Sequence, residues 1–308
     1  MAKMKKLSLA ERGLSQKDVL QKAQRINNDE FYTRYEDVEK ELSLYDKSIW
    51  KNKVVFCNCD NPADDGKGNS SAFPLYFLRN FEALGLKKLI CTHYAGPVDL
   101  FNQGPKGYIF TKYGFREIKD FPKGYDGSFD HPMSLELLKE ADIVCTNPPF
   151  SRAIDYWKMI IKSGKKFIII SNIANPITKA FIPYFKNNQV WPGYHRVDWY
   201  LNPKRELTRA AGSWYTNIPI KNRPTHRLLK IMPLKEIPDE YKKFDDAKTL
   251  LVYKGYIPSD YKKPFAVSAR AILNGLLEKG YKIIEQNESY IAHVDGKECF
   301  RRVLVQKE

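Results

Sequence analysis

The sequence predicts an α/β fold: a mostly parallel, twisted sheet flanked by helices, with a small lobe at its C-terminal end. Three observations predict it. Short apolar runs at residues 53–57, 88–92, 141–146 and 166–171 alternate with segments of helical periodicity, the pattern of a parallel sheet crossed over by helices. At 308 residues the chain can bury one large core and a smaller lobe beside it. Beyond about residue 221 prolines recur, and tyrosines alternate with lysines through Tyr241, Tyr253, Tyr256 and Tyr261. The chain thus divides into a polar, helical extension at 1–28, a main domain at 29–222 and a basic region at 223–308.

Taken in order, Ser15-Gln16-Lys17-Asp18 loosely fits a capping box within the extension. Asn28-Asp29-Glu30-Phe31-Tyr32-Thr33 then leads a helix-like segment from Tyr35 to about Leu44, and its acids and aromatics suit a helix cap with a staple. The first strand, 53–57, runs into Asn58-Cys59-Asp60-Asn61-Pro62, small and polar as a first βα turn should be. The glycines that usually let this turn approach a nucleotide are missing; a Gly66-Lys67-Gly68-Asn69 loop follows instead. Residues 73–84 have helical spacing with Gly85 as a stop, and 88–92 forms the second strand. That strand lacks the terminal acid that often holds ribose hydroxyls. Thr92, His93 and Tyr94 come next, ribose recognition stays unassigned, and His93 reads as a surface or loop residue.

Residues 96–124 read as a hairpin around Tyr108-Ile109-Phe110, and Asp126-Gly127-Ser128-Phe129-Asp130 as a turn. A helix over 134–141 leads into the 141–146 strand. A second, over about 152–163, stops at Gly164 before the buried strand 166–171. Asn172 and Asn175 at its carboxyl end are candidate pocket residues. Residues 189–191 and 212–217 read as later strands. Between them Arg196, Lys204, Arg205 and Arg209 interleave with Trp199 and Tyr200, which suits either a nucleic-acid backbone or a plain exposed loop.

The formal charge of +15 and pI near 9.4 point to a polyanionic partner, and over half of that excess falls after residue 200. Cys57, Cys59, Cys91, Cys145 and Cys299 form no CxxC pair and have no His at ligand spacing, so neither a disulfide nor a metal site is expected. The start carries no apolar stretch of a secretion signal, and no window approaches a membrane span. A cytoplasmic protein is expected.

The densest chemistry lies in Asn147-Pro148-Pro149-Phe150, directly after the 141–146 run. The prolines cannot extend a strand, so the chain turns at the carboxyl edge, where open α/β sheets bind ligands. The Asn side-chain oxygen and the carbonyl of Pro148 can both accept from one NH2 group, while the Phe face stacks on the ring that bears it. An exocyclic amine is a poor nucleophile because its lone pair is delocalised. Two converging acceptors favour its pyramidal form, so position and fixed dipoles suffice. A simple turn is the plain alternative.

This tetrapeptide resembles motif IV of amino-methyltransferases that use S-adenosylmethionine. Close variants occur in adenine-N6 DNA, guanine-N2 ribosomal RNA and glutamine-N5 protein enzymes. The stretch Asp29 to Thr33 resembles motif X, and Asn58-Cys59-Asp60-Asn61-Pro62 resembles the Cys-Asn-Cys-Asp turn of EcoRI-type adenine-specific DNA methyltransferases. Asp126-Gly127-Ser128-Phe129 resembles motif III, with Ser128 where a second acid is usual, and Trp214-Tyr215-Thr216-Asn217 also resembles that family. The resemblance implies a Rossmann-like methyltransferase fold acting on a flipped adenine in double-stranded DNA. It assigns catalysis to Asn147, Pro148, Pro149 and Phe150. It assigns S-adenosylmethionine to Asp29, Phe31, Tyr32, Thr33, Asn58, Cys59, Asp60, Asp126, Phe129 and Asn147. It makes 223–308 the target-recognition region, although the stretch 257–266 matches only loosely, and it allows a cognate restriction endonuclease as partner. Two alternatives stay open. A methyltransferase for RNA guanine or protein glutamine leaves the 58–62 turn and basic lobe unexplained. A non-catalytic DNA-binding relative fits the missing glycines but not the retained tetrapeptide.

Overall fold

A computed structural model describes residues 31–61, 71–94, 107–118, 121–202, 204–221, 223, 227–284 and 289–308. The 1–28 extension, Asp29 and the 66–69 loop lie outside them. The main sheet has eight strands. In chain order its elements are α1 (Tyr35–Leu42), β1 (Val54–Cys57), α2 (Ala72–Arg79), β2 (Lys88–Thr92), the hairpin β3 (Gly107–Thr111) and β4 (Gly114–Ile118), α3 (Pro132–Glu140) and β5 (Ile143–Thr146). Then come α4 (Ala153–Ser163), β6 (Lys166–Asn172), α5 (Ile182–Lys186), β7 (Trp191–Leu201) and β8 (Leu207–Thr216). The spatial order is β4-β3-β2-β1-β5-β6-β8-β7. The central strands β2, β1, β5 and β6 run parallel, and an antiparallel hairpin closes each side. All four central strands therefore end at one edge.

The central strands are buried on both faces, which is why they read as unbroken apolar runs. Their side chains alternate between two cores. Val54, Phe56, Val144, Phe167 and Ile169 face one with Tyr156 and Trp157 of α4; Val55, Cys57, Cys145, Ile168 and Ile170 face the other with Trp214. Four cysteines are small packing groups in or beside these strands, and all five are free thiols.

The remaining strands are β9 (Lys230–Met232), β10 (Lys242–Phe244), β11 (Leu250–Val252), β12 (Tyr256–Pro258) and β13 (Phe265–Val267). After α6 (Ala269–Leu273) come β14 (Tyr281–Ile283), β15 (His293–Val294), β16 (Lys297–Glu298) and β17 (Val303–Lys307). Five of them form a second sheet ordered β10-β11-β13-β17-β14. Leu250, Phe265 and Val305 of that sheet continue the core around α4, so the C-terminal lobe shares its interior with the main sheet. Ser289 Oγ donates to the Ile177 carbonyl, and the buried Arg223 guanidinium joins the Pro192 carbonyl to Glu278 across the same junction.

Several boundaries differ from the sequence expectation. The predicted 73–84 helix ends at Arg79 because Asn80 Nδ2 donates back to the Tyr76 carbonyl at 2.9 Å. The chain then turns through Gly85, at φ +63. The interleaved stretch 196–209 is mostly paired strand rather than loop: Trp199 is 43% exposed, whereas Tyr200 is fully buried and belongs to the core. Asn172 and Asn175 serve local structure. Asn172 Oδ1 accepts from the Ala174 N–H, and buried Asn175 Nδ2 donates to Ser171 Oγ.

One buried carboxylate ties α1 to β7. Glu41, with no exposed surface, accepts the Tyr194 and His195 N–H groups, a contact from His195 Nδ1 and the Tyr45 hydroxyl. It fits because Gly193 leaves the space: a Cβ there would stand 2.3 Å from Glu41 Oε1 and 2.4 Å from Trp214 Cβ. Gly193→Ala is expected to destabilise the fold by about 3 kcal/mol. A denaturant midpoint equal to the parent's would refute this.

Candidate active site

Loops from five places converge at the carboxyl edge of β1, β2 and β5 around an open cleft of about 620 Å³. They are the segment before α1, the turns after β1 and β5, the residues after β2 and the 126–129 loop. The residues assigned to catalysis and to the cofactor all line it except Asp29, which is outside the described residues, whereas Asn172 and Asn175, read as candidate pocket residues, do not.

Asn147 is held in one orientation. Its Nδ2 donates to the Phe31 carbonyl at 2.5 Å. A carbonyl only accepts, so the amide cannot turn its oxygen there. Oδ1 is consequently left buried without a hydrogen-bond partner among the described residues. An acceptor stranded in this way costs about 1–3 kcal/mol, recovered when a donor arrives. Pro149 leads a single turn of 3-10 helix over Phe150–Arg152, which carries Phe150 to the cleft wall. Phe150 is half-buried, packed on Phe31 at 5.7 Å and edge-on to Tyr200 at 6.0 Å between ring centres.

Directly beside Asn147, Asp60 is 5% exposed and accepts from the Thr146 hydroxyl at 2.5 Å. Burial pushes its carboxyl up to about 7, against the opposing bonds from Thr146, the Asn147 N–H and Ser71. Asn58 Oδ1 accepts from Tyr156 at 2.7 Å, which fixes that side chain from behind. Burial drives the Cys59 thiol far above its ordinary range, so it stays neutral. Thr33 is buried, and its Oγ1 is a second polar atom without a partner among the described residues.

The 126–129 loop is self-braced. Burial disfavours the Asp126 charge, but the Ser128 N–H and hydroxyl, 2.9 and 2.7 Å from Oδ1, outweigh it and hold the carboxyl below its usual range. Ser128, the departure from the family pattern, thus braces the Asp126 carboxyl and lowers it below its usual range. Phe129 meets Tyr156 edge-on at 4.9 Å and lies under the Arg152 guanidinium at 4.6 Å. Arg152 is itself bidentate on Asp130.

Sequence reasoning missed Ser71, His93, Tyr94, Arg152 and Arg205 as cleft residues. His93 and Tyr94 could have been found from their place after β2, since that edge is where ligands bind; His93 lies in the loop there, as expected, and also lines the cleft. Arg205 was legible only as one of several interleaved cations, because the β7–β8 connection that brings it to the cleft is distant in sequence.

The sequence model of the family described as adenine-specific methyltransferase EcoRI matches residues 19–307. The chain is 38% identical over 187 residues to the Type II methyltransferase M.EcoRI of Escherichia coli, covering 58% of this chain and 55% of that protein. It is 36% identical over 173 residues to M.MpnI of Mycoplasma pneumoniae, covering 56% and 50%. M.MgeORF184P of Mycoplasma genitalium aligns over 329 positions at 29% identity, covering 93% and 98%. The matches thus span about half the length of the first two relatives. No solved structure matches the chain. With a family match over nearly its whole length, the chain belongs to the EcoRI family of adenine-specific methyltransferases.

Proposed function

We propose that the chain is an S-adenosylmethionine-dependent DNA methyltransferase that modifies the N6 amine of an adenine flipped out of double-stranded DNA. The observation that carries this reading is the stranded Asn147 Oδ1, a buried acceptor without a partner among the described residues, on a residue that lines the cleft beside Phe150. When bound, S-adenosylmethionine supplies a methyl group on a positively charged sulfonium. The cleft suits such a cation: Asp60 and Asp126 place two carboxylates on its wall, and Thr33 Oγ1 offers an unused polar atom. The residues that would hold it are Phe31, Tyr32, Thr33, Asn58, Cys59 and Asp60 at its amino-acid end and Asp126 with Phe129 at its adenine. Asp29 joins this set by resemblance.

On the substrate side, Asn147 Oδ1 and the Pro148 carbonyl accept the two N6 hydrogens, pulling the nitrogen toward pyramidal geometry. Phe150 stacks on the extruded base, and the Phe31–Tyr200 cluster behind it keeps its ring in place. Extruding the base costs a few kcal/mol of stacking and pairing, offset by contacts in the cleft and by the basic C-terminal lobe on the duplex. Residues 223–308 act as the target-recognition region, and the enzyme works in the cytoplasm. A cognate endonuclease is its partner in this reading. Among the described residues no helix is long and apolar enough to cross a membrane.

The test is single-molecule sequencing of DNA from cells expressing the chain, beside a vector control. N6-methyladenine confined to one short motif is the expected result. Absence of any new DNA mark would transfer the reading to RNA or protein amines, which share the tetrapeptide.

A further inference from the structure

We propose that Arg205 is an anion-binding residue at the rim of the cleft, taking a backbone phosphate next to the target nucleotide; this rests on the DNA-modifying reading above. Three independent features single it out. First, its backbone is in the left-handed region, at φ +62, which a long side chain adopts only under strain. The β7–β8 connection is built to impose this. Asn202 Oδ1 accepts the Lys204 and Glu206 N–H groups, each at 2.9 Å, and the Arg205 N–H donates to the Asn202 carbonyl at 2.8 Å.

Second, the strain turns Arg205 inward. Its neighbours Lys204 and Glu206 are exposed, whereas Arg205 is half-buried on the cleft wall with its guanidinium 4.4 Å from the centre of the Tyr32 ring. Tyr32 is fixed in turn by a backbone pair with Leu201, at 2.8 and 2.9 Å. Its neighbour Phe31 supplies the carbonyl that orients Asn147. Through Tyr32 and Phe31, Arg205 is thus joined to the segment that orients Asn147, at the wall of the same cleft.

Third, the guanidinium has no carboxylate partner among the described residues, whereas Arg152 on the same cleft is bidentate on Asp130. A ring-stacked guanidinium keeps its N–H edge free, and that planar fork matches a phosphate. The extruded nucleotide carries phosphates on both sides, so a cation at the entrance to its pocket holds the flipped backbone as the base moves in.

The test uses Arg205→Asn, because Asn tolerates the left-handed conformation and removes the charge. Duplex DNA carrying the methylated motif is titrated by anisotropy at several salt concentrations. The variant is expected to bind roughly 10-fold more weakly, with its log–log salt slope reduced by about one. S-adenosylmethionine affinity and the thermal midpoint should stay at parental values. Duplexes with one neutral methylphosphonate beside the target adenine should weaken the parent and leave the variant no weaker than before. An unchanged salt slope in the variant, or a loss of cofactor affinity alongside, would overturn the assignment and leave Arg205 a brace for Tyr32. If the parent marks DNA and the slope is unchanged, only Arg205 falls; if the parent neither binds nor marks DNA, both readings fall.

Discussion

Asn147→Ala is expected to lower methyl transfer at least about 100-fold while S-adenosylmethionine affinity stays within about 3-fold of the parent. Alanine removes a buried cleft acceptor that has no partner among the described residues, so the amine loses a hydrogen bond that matters most as its geometry changes. The Nδ2 tie to the Phe31 carbonyl goes as well. That second loss is structural, and Asn147→Asp separates the two. Its carboxylate retains an acceptor facing the amine but repels the Phe31 carbonyl, so its rate should fall while remaining above that of the alanine variant. Single-turnover rates with saturating cofactor and DNA measure the step directly. A rate for Asn147→Ala within a few-fold of the parent would remove Asn147 from the chemistry.

Asp60→Asn is expected to weaken cofactor binding at least about 10-fold at pH 8 and, in the ligand-free protein, to raise stability at that pH. Both follow from a carboxyl that burial holds at about 7, against an ordinary value of 3.8. The sign is opposite to that of a salt-bridged acid. The folded state prefers the protonated form, so this group's contribution to stability is complete below about pH 4. It is lost progressively as pH rises toward 7 and stays lost above it. Each pH unit between the ordinary and the raised value is worth about 1.4 kcal/mol, so the penalty at pH 8 reaches about 4 kcal/mol. Asparagine carries no charge and escapes it. A cation, by contrast, needs the carboxylate. Parental affinity should therefore rise with pH and level off near 7, and the variant should show no such rise. Calorimetric titration across pH 5.5–8.5 and thermal melts at the same values test both halves. Equal cofactor affinity and identical pH profiles in parent and variant would exclude Asp60 from the site.

Local chemistry made much of the molecule legible in advance. Runs such as Val54–Cys57 and Ile143–Thr146 read as buried strands because burial on both faces leaves no room for alternating polar residues. Gly164 ended α4 because a left-handed stop is cheap only without a Cβ. Asn147-Pro148-Pro149-Phe150 stood out because prolines after a strand force a turn at the ligand-binding edge. The helix from residue 73 read too long because a side chain competing for one backbone carbonyl leaves no periodic trace.

The contents of the chemistry were thus written in short segments, whose residue types and spacings state their own backbone preferences. What those segments could not state is which distant groups meet. That Asn147 is locked by the carbonyl of a residue 116 positions away, that Tyr200 is buried, and that Arg205 reaches the cleft all depend on how the edge hairpin and the segment before α1 close over the sheet. The same holds for Asp60, whose charge state follows from the burial around it. Composition and periodicity record a residue's own neighbours along the chain, while hydrogen-bond partnership, desolvation and strain are properties of the space around it, and only the closed fold creates that space.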